Sequence, residues 1–396
     1  MASGSNLPLP RKAPKLGHKK SMFGCQRCRA RRVKVVCNEE KPTCHNCKRH
    51  GMPCIYDRDA SVKAALRKPT IAQLPTYRLE ESDPPESRTR RMIEMRLMHQ
   101  YVVETGETLA IDHHTSGLFS RVVPKFALES DGLLYSMYTI SALHLAKLGK
   151  SEEIVGGAEN AANTYFSMAV REHNRELSNV NKQTADAVCL TSCLIRGVAL
   201  LQLEGRSYQP YTPPWQWLAL IQASTSTFVE VIKRTGPDPQ SPIFQLIKDT
   251  RDIHNNGKLS GVGDYQRWQH LMDRPEEIRA IEPWDEEIQV TYQRILTYMC
   301  TILDLIDGQG LSCTVLRMLI MFPMLVGRRF VELVQEESPR SMVILAHYFA
   351  LLTRFENIWW VANIGADELR AIAGVLPDVW QGMLAWPLEA IENKEF

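Results

Sequence analysis

The sequence predicts two unlike parts: a short cysteine-rich segment that something other than an apolar core must hold together, and behind it a large all-α body. Three observations say so. Six cysteines, Cys25, Cys28, Cys37, Cys44, Cys47 and Cys54, fall within thirty residues of a strongly basic stretch, CQRCRARRVKVVCNEEKPTCHNCKRHGMPC. Pro69, Pro75, Pro84 and Pro85 then punctuate a stretch of mixed charge that cannot form a long helix. From Thr89 onward apolar residues recur at helical spacing almost throughout, with few alternating runs.

The cysteines come first because their spacing dictates chemistry. Thiolate is a soft, anionic ligand suited to tetrahedral zinc, and a C-x2-C pair lets one tight turn present two sulfurs to one ion. Two four-coordinate zincs need eight metal–sulfur bonds, so six cysteines serve two ions only if two of them bridge. A single-zinc ribbon built on Cys25, Cys28, Cys44 and Cys47, with fifteen residues between the pairs, fits the same spacing and leaves Cys37 and Cys54 free. Cys37 and Cys54 follow their pairs at similar distances, which points instead to two half-sites. The segment is too short for an apolar core, so metal ligation must supply most of its folding energy. His45 and His50 could also ligate, but the sulfurs suffice, and surface or phosphate contact is the expected role.

This stretch resembles the fungal binuclear zinc cluster, a DNA-binding domain, over roughly residues 21 to 58. The resemblance implies two Zn2+ ions bridged by Cys25 and Cys44, with Cys28 and Cys37 completing one ion and Cys47 and Cys54 the other. Pro42 matches the loop proline of that family. Arg29, Arg31, Arg32 and Lys34 match a short helix whose end enters the major groove of double-stranded DNA, with Arg32 at the position that contacts a CGG triplet. General chemistry agrees: an Arg fork bonds O6 and N7 of guanine together, while neighbouring cations neutralise phosphates. One departure stands out. Eight residues separate Cys28 from Cys37 where the family usually has six, and the surplus falls at Val35 and Val36. Two extended residues add about 6.6 Å, which a bulge must absorb. If the surplus instead spoils the first zinc site, the alternative is a lipid-binding or protein-binding helical regulator with little affinity for DNA.

Charge supports a nucleic-acid partner once it is counted by region. Residues 1 to 58 hold 14 Lys and Arg against 3 Asp and Glu, formally +11, whereas the remainder holds 33 against 42, or −9. A basic arm therefore precedes an acidic body, and the arm is expected to seek phosphate with marked salt sensitivity. Residues 1 to 20, with RKAPKLGHKK, read as a basic disordered tail able to serve as a nuclear import signal or a backbone contact. No apolar leader core and no membrane-spanning run is seen, so a nuclear site is expected, and Cys189, Cys193, Cys300 and Cys313 read as reduced thiols. Cys189 and Cys193 lie four apart and can share one helix face. Residues 59 to 88 read as a linker.

The body, residues 89 to 396, reads as one irregular all-α domain. Helices are expected over Arg90 to Leu109, Asp131 to Leu148, Glu152 to Leu177, Thr184 to Leu203, Trp215 to Lys233, Asp285 to Ile306 and Leu311 to Val334. In the second, Leu133, Met137, Ile140, His144 and Leu148 share a face, and Ser130 or Asp131 can cap its start. Ser341 to Asn363 places Tyr348, Leu352, Phe355 and Trp359 on a single stripe. No sustained heptad follows the cysteines, so the chain is expected to be a monomer or to dimerise through the helical domain. The whole is thus a small zinc-stabilised DNA-binding module followed by an all-α multi-helix domain.

EMRLMHQYVVETGETL, MYTISALHLAKLG, MVILAHYFALLTRFENIWWVANI and WPLEAI resemble the fungus-specific regulatory domain of proteins of the sterol uptake control type. That resemblance implies a regulator of fungal lipid, sterol or secondary-metabolite genes and a lipid or sterol ligand of the helical domain. The stripe through Trp359 could line such a cavity, although aromatics at helical spacing are more often core. Asp112, His113 and His114 read as loop or surface residues, and His144 and His347 as hydrogen-bonded core histidines. HExxH, G-x-S-x-G and a phosphate-cradling glycine loop are all missing, and no catalytic constellation is seen, so the chain is not expected to be an enzyme.

Overall fold

The computed structural model describes Cys25, residues 37–49, Cys54, residues 85–236, 238–244, 246 and 265–392. The chain divides into two compact units, Met1–Lys68 and Pro69–Phe396. Among the described residues of the first unit, a short helix, His45–Arg49, carries Cys47. In the second, the described residues are overwhelmingly helical and include no strand.

Several helices of the body begin where a short polar side chain provides a cap. α1, Arg88–Gln100, starts at Ser87, whose Oγ accepts from the Arg90 N–H at 3.1 Å, and runs on through a wide turn over Tyr101–Thr105 to Thr108. Ser130 caps α2, Asp131–Lys147, by accepting from the Leu133 N–H. α3 spans Ala158–Ser178 rather than starting near Glu152, because Gly156 and Gly157 adopt φ of 87° and 89° and interrupt the chain after a 3-10 turn at Ser151–Glu153. α4, Ala185–Leu201, and α5, Trp215–Thr235, follow, and α5 stops at Gly236 with φ 77°. Asp285 caps α6, Glu286–Gln309.

Two expected helices divide or stop early. Leu311 to Val334 becomes α7, Cys313–Leu325, and α8, Gly327–Gln335, with Gly327 at φ 77° between them. The helix expected through Asn363 ends as α9, Pro339–Leu352, followed by a 3-10 turn at Thr353–Phe355 and irregular turns. Two helices that the sequence reading did not place close the body: α10, Ile364–Val375, and α11, Ala385–Glu392. Leu148, expected on the buried face of α2, caps its end and is exposed.

α9 organises the core. Every residue from Arg340 to Leu352 is buried, so the helix is enclosed on all sides, with α7, α8, α10 and α11 packed around it. α10 crosses closely: a Cβ on Gly365 would lie 2.6 Å from the Phe349 carbonyl oxygen. The one charge on α9, Arg340, is fully buried and forks onto Glu282 at 2.7 and 3.0 Å, while its Nη groups also donate to the Leu271 and Asp273 carbonyls. Arg274 reaches the same carboxylate at 2.9 Å, and Trp284 and Trp380 flank the Arg340 guanidinium. A second buried acid, Glu368 on α10, accepts from Arg206 at 2.5 and 2.8 Å and from the Tyr211 hydroxyl at 3.2 Å. Such charges persist inside a protein only when paired and hydrogen-bonded.

Candidate metal centre and ligand cavity

The Sγ atoms of Cys25, Cys44, Cys47 and Cys54 all lie within 4.8 Å of one another. Cys25 Sγ stands 3.8 Å from Cys44 Sγ and 3.7 Å from Cys47 Sγ. Four sulfurs placed about 2.3 Å from one ion at tetrahedral angles are separated by about 3.8 Å, so this cluster has the size that zinc requires. Local hydrogen bonds set it. Cys44 precedes the short helix His45–Arg49: its carbonyl accepts from the Lys48 N–H and its Sγ from the Cys47 N–H at 3.4 Å. The Cys44 N–H in turn donates to Cys54 Sγ at 3.2 Å. These N–H groups point at sulfur as they would at thiolate, spreading the ligand charge.

Residues before the helix hold its start. Asn38 accepts from the His45 N–H at 2.9 Å and donates to Glu40, and the Lys41–Pro42 peptide is cis. Cys37 is also buried within the sulfur cluster. Burial above all, then hydrogen bonds with Cys44, Cys25 and Cys54, pushes the Cys47 thiol up to about 12. Cys54 moves the other way: burial opposes its ionisation, but the Cys44 N–H and the neighbouring thiols together draw it down. A coordinated dication overrides such crowding by holding the sulfurs as thiolates. Cys28, Arg29, Arg31, Arg32, Lys34, Val35 and Val36 lie outside the described residues, as do the expected tail and most of the expected linker.

The body holds a cavity of about 440 Å3, a size suited to a drug-like or lipid ligand. Its walls come from α2, α4, α5, α7 and α9, through residues such as Ile140, Leu200, Trp217, Phe228, Met321 and Tyr348. The stripe expected on one helix is only half used. Tyr348 and Leu352 line the cavity, but the early end of α9 sends Trp359 elsewhere, onto the His144 ring at 4.4 Å with its indole donating to Thr108. Trp360 takes a place in the wall instead.

Two guanidinium groups reach this apolar wall, neither of them singled out from sequence. Arg317 is ion-paired with Asp112, and Asp112 also caps the short helix His113–Gly117 in a reciprocal capping box with Thr115. Arg196 projects from α4 and is the one charge between Ala187 and Leu201, a lone cation in an apolar run that was the available signal. Cys193 accompanies Arg196 at the wall, whereas Cys189 is buried in the core with its thiol pushed up by burial. His144 bonds Thr105 at 2.9 Å and His347 bonds the Val343 carbonyl at 2.8 Å, so both are core histidines.

Residues 23–62 match the family model of the fungal Zn(2)-Cys(6) binuclear cluster domain, and residues 96–227 that of the fungal specific transcription factor domain. A Zn(2)-C6 fungal-type transcription factor of Aspergillus fumigatus, afumD, is 30% identical over 86% of this chain and 87% of its own length. The chain belongs to the fungal Zn(2)-C6 transcription factors. Another such factor, from Gibberella zeae, is 24% identical over 95% of the chain and 86% of its own length. Sterol uptake control protein 2 of Candida albicans is 21% identical over 69% of the chain and 39% of its own length.

A Zn(2)-C6 factor is a DNA-binding regulator and not an enzyme, and its cysteine domain binds two zinc ions. Such factors are generally nuclear. No described helix of this one is long and apolar enough to cross a membrane.

Proposed function

We propose that this Zn(2)-C6 factor reads CGG-type sites in double-stranded DNA and adjusts transcription of lipid, sterol or secondary-metabolite genes to a lipophilic ligand held in its helical body. The observation that carries the reading is the four-sulfur cluster, whose 3.7 and 3.8 Å separations suit a tetrahedral ion. Cys25 and Cys44 would bridge two zinc ions, with Cys47 and Cys54 completing one and Cys28 and Cys37 the other. The presence of Cys54 beside Cys25 favours this arrangement over a single-zinc ribbon, which would leave Cys54 out. Zinc neutralises the thiolates and fixes the chain around them. Arg29, Arg31, Arg32 and Lys34 then meet the duplex, with Arg32 at the bases and the others at phosphates. The factor works in the nucleus, as a monomer or as a dimer through the helical body. The apolar cavity supports a lipophilic ligand, as does the similarity to a protein named for sterol uptake control.

The test is zinc content by mass spectrometry together with gel-shift affinity for CGG-containing duplex. Native protein is expected to hold two zincs and to prefer CGG. Arg32→Ala should relax base choice, whereas Lys20→Ala should weaken all duplexes evenly. Equal losses from both, or metal-free protein with native affinity, would refute the assignment. Deleting Val35 and Val36 separates a tolerated loop from a damaged one: a large gain in zinc content or affinity would favour the regulator with a defective cluster.

A further inference from the structure

Among the described residues, Arg196 is a donor whose acceptors are two sulfurs and a ring face. Among the described residues its guanidinium meets no carboxylate and no carbonyl: Nη2 lies 3.1 Å from Cys193 Sγ, Nη1 lies 3.4 Å from Met324 Sδ, and its carbon sits 4.9 Å from the Phe228 ring centroid. Thiol and thioether sulfur are weak acceptors, and a guanidinium carries five N–H donors and can accept nothing. The other cation at the wall, Arg317, is already neutralised by Asp112. Among the described residues, Arg196 therefore stands at the apolar wall with no carboxylate against it.

A guanidinium at the wall of an apolar cavity, held only by sulfur and a ring face, can donate but not accept, and so wants a group that accepts. A hydroxyl, which both donates and accepts, fits that demand less well than an ionised acid.

We infer that the cavity takes a lipophilic carboxylic acid, such as a long-chain fatty acid, whose carboxylate is bound by Arg196 while its chain lies along the apolar wall. This rests on the reading of the cavity as a ligand site and narrows it to an acidic ligand rather than a neutral sterol. A bidentate guanidinium–carboxylate pair is strong and directional, and away from bulk water it is screened little. Cys193 and Met324 hold the guanidinium beside the cavity through contacts weak enough to exchange for carboxylate oxygens.

The experiment uses the full-length, zinc-loaded protein and calorimetric titration with palmitate, methyl palmitate and ergosterol at neutral pH. Palmitate should bind at least about tenfold more tightly than its ester, the scale of one charge-assisted bond. Arg196→Met, which keeps an unbranched apolar side chain beside Phe228, should bring acid down to the affinity of ester while leaving ester unchanged. Arg196→Lys should retain part of the preference. Acid and ester binding alike in the native protein, or a preference that survives Arg196→Met, would overturn the inference and leave a neutral-lipid cavity standing. Failure of acid, ester and sterol alike to bind would remove the ligand reading itself. Should Arg196→Met fail to fold, the native acid-to-ester ratio and the Lys variant still decide.

Discussion

Glu282→Gln changes one atom in shape and one full charge, at the point where the body is most exposed to the loss. In the native protein Arg340, with no solvent-exposed surface, forks onto Glu282 at 2.7 and 3.0 Å, and Arg274 reaches the same carboxylate at 2.9 Å. The substitution leaves two cations facing each other across a neutral amide. Arg274 is part-exposed and can turn toward water, but Arg340 cannot. Leaving a buried charge without its partner costs about 3–5 kcal/mol. For a body of this size that is a fall in melting temperature on the order of 10 °C. Urea unfolding of the zinc-saturated chain, followed by circular dichroism, measures it. Arg340→Met should cost a similar amount, while Glu282→Gln with Arg340→Met should cost well under the sum, since the two charges leave together. A loss below about 1 kcal/mol for Glu282→Gln, or simple additivity in the double variant, would show that Arg340 finds water or another acceptor and that the pairing argument is wrong.

Three further outcomes are expected. Gly365→Ala places a Cβ 2.6 Å from the Phe349 carbonyl oxygen and should cost about 1–3 kcal/mol by prising α10 from α9, which thermal melting would read. Burial depresses His173 to about 4 and His347 to about 3 from 6.5, so the unfolded chain takes up those protons first as pH falls. The stability gained by keeping the two rings neutral is full above pH 6.5 and drains below it, by about 3 kcal/mol for each ring at pH 4, and His347→Leu should flatten the pH dependence of the urea midpoint by about half. Cys44→Ser should release both zincs and abolish DNA binding, whereas Cys54→Ser should lose less metal, as read by elemental mass spectrometry on the purified chain.

The all-α body was legible in the sequence because apolar residues recur at helical spacing and several helices carry a capping residue at their start. Ser130 and Asp285 cap as short polar residues do, and the apolar period between caps is unbroken. Where the reading ran on too far, the stop signals were present but outvoted: Gly156 and Gly157 before α3, and Pro323 near the end of α7 with Gly327 at its junction with α8. The end of α9 was not legible. No glycine or proline marks Leu352, and the chain turns there to let α10 pack back onto α9 through Gly365, a tertiary demand that no local window contains. The gathering of the Cys25, Cys44, Cys47 and Cys54 sulfurs was readable because spacing and ligand chemistry constrain them together. Arg196 was readable only as an oddity; that it meets only sulfur acceptors among the described residues depends on which side chains five separate helices bring to the cavity.

The enclosure of α9 also determines how the gene can vary. An amphipathic helix such as α3 alternates tolerant and intolerant positions, because Asn160, Thr164 and Ser167 look outward while Tyr165 and Phe166 look in. Along the thirteen buried positions from Arg340 to Leu352 no outward side exists. Saturation mutagenesis scored by reporter output should therefore trace a continuous trough over this segment where its neighbours show a sawtooth, and missense lesions that abolish the regulator should gather there, far in sequence from the cysteines.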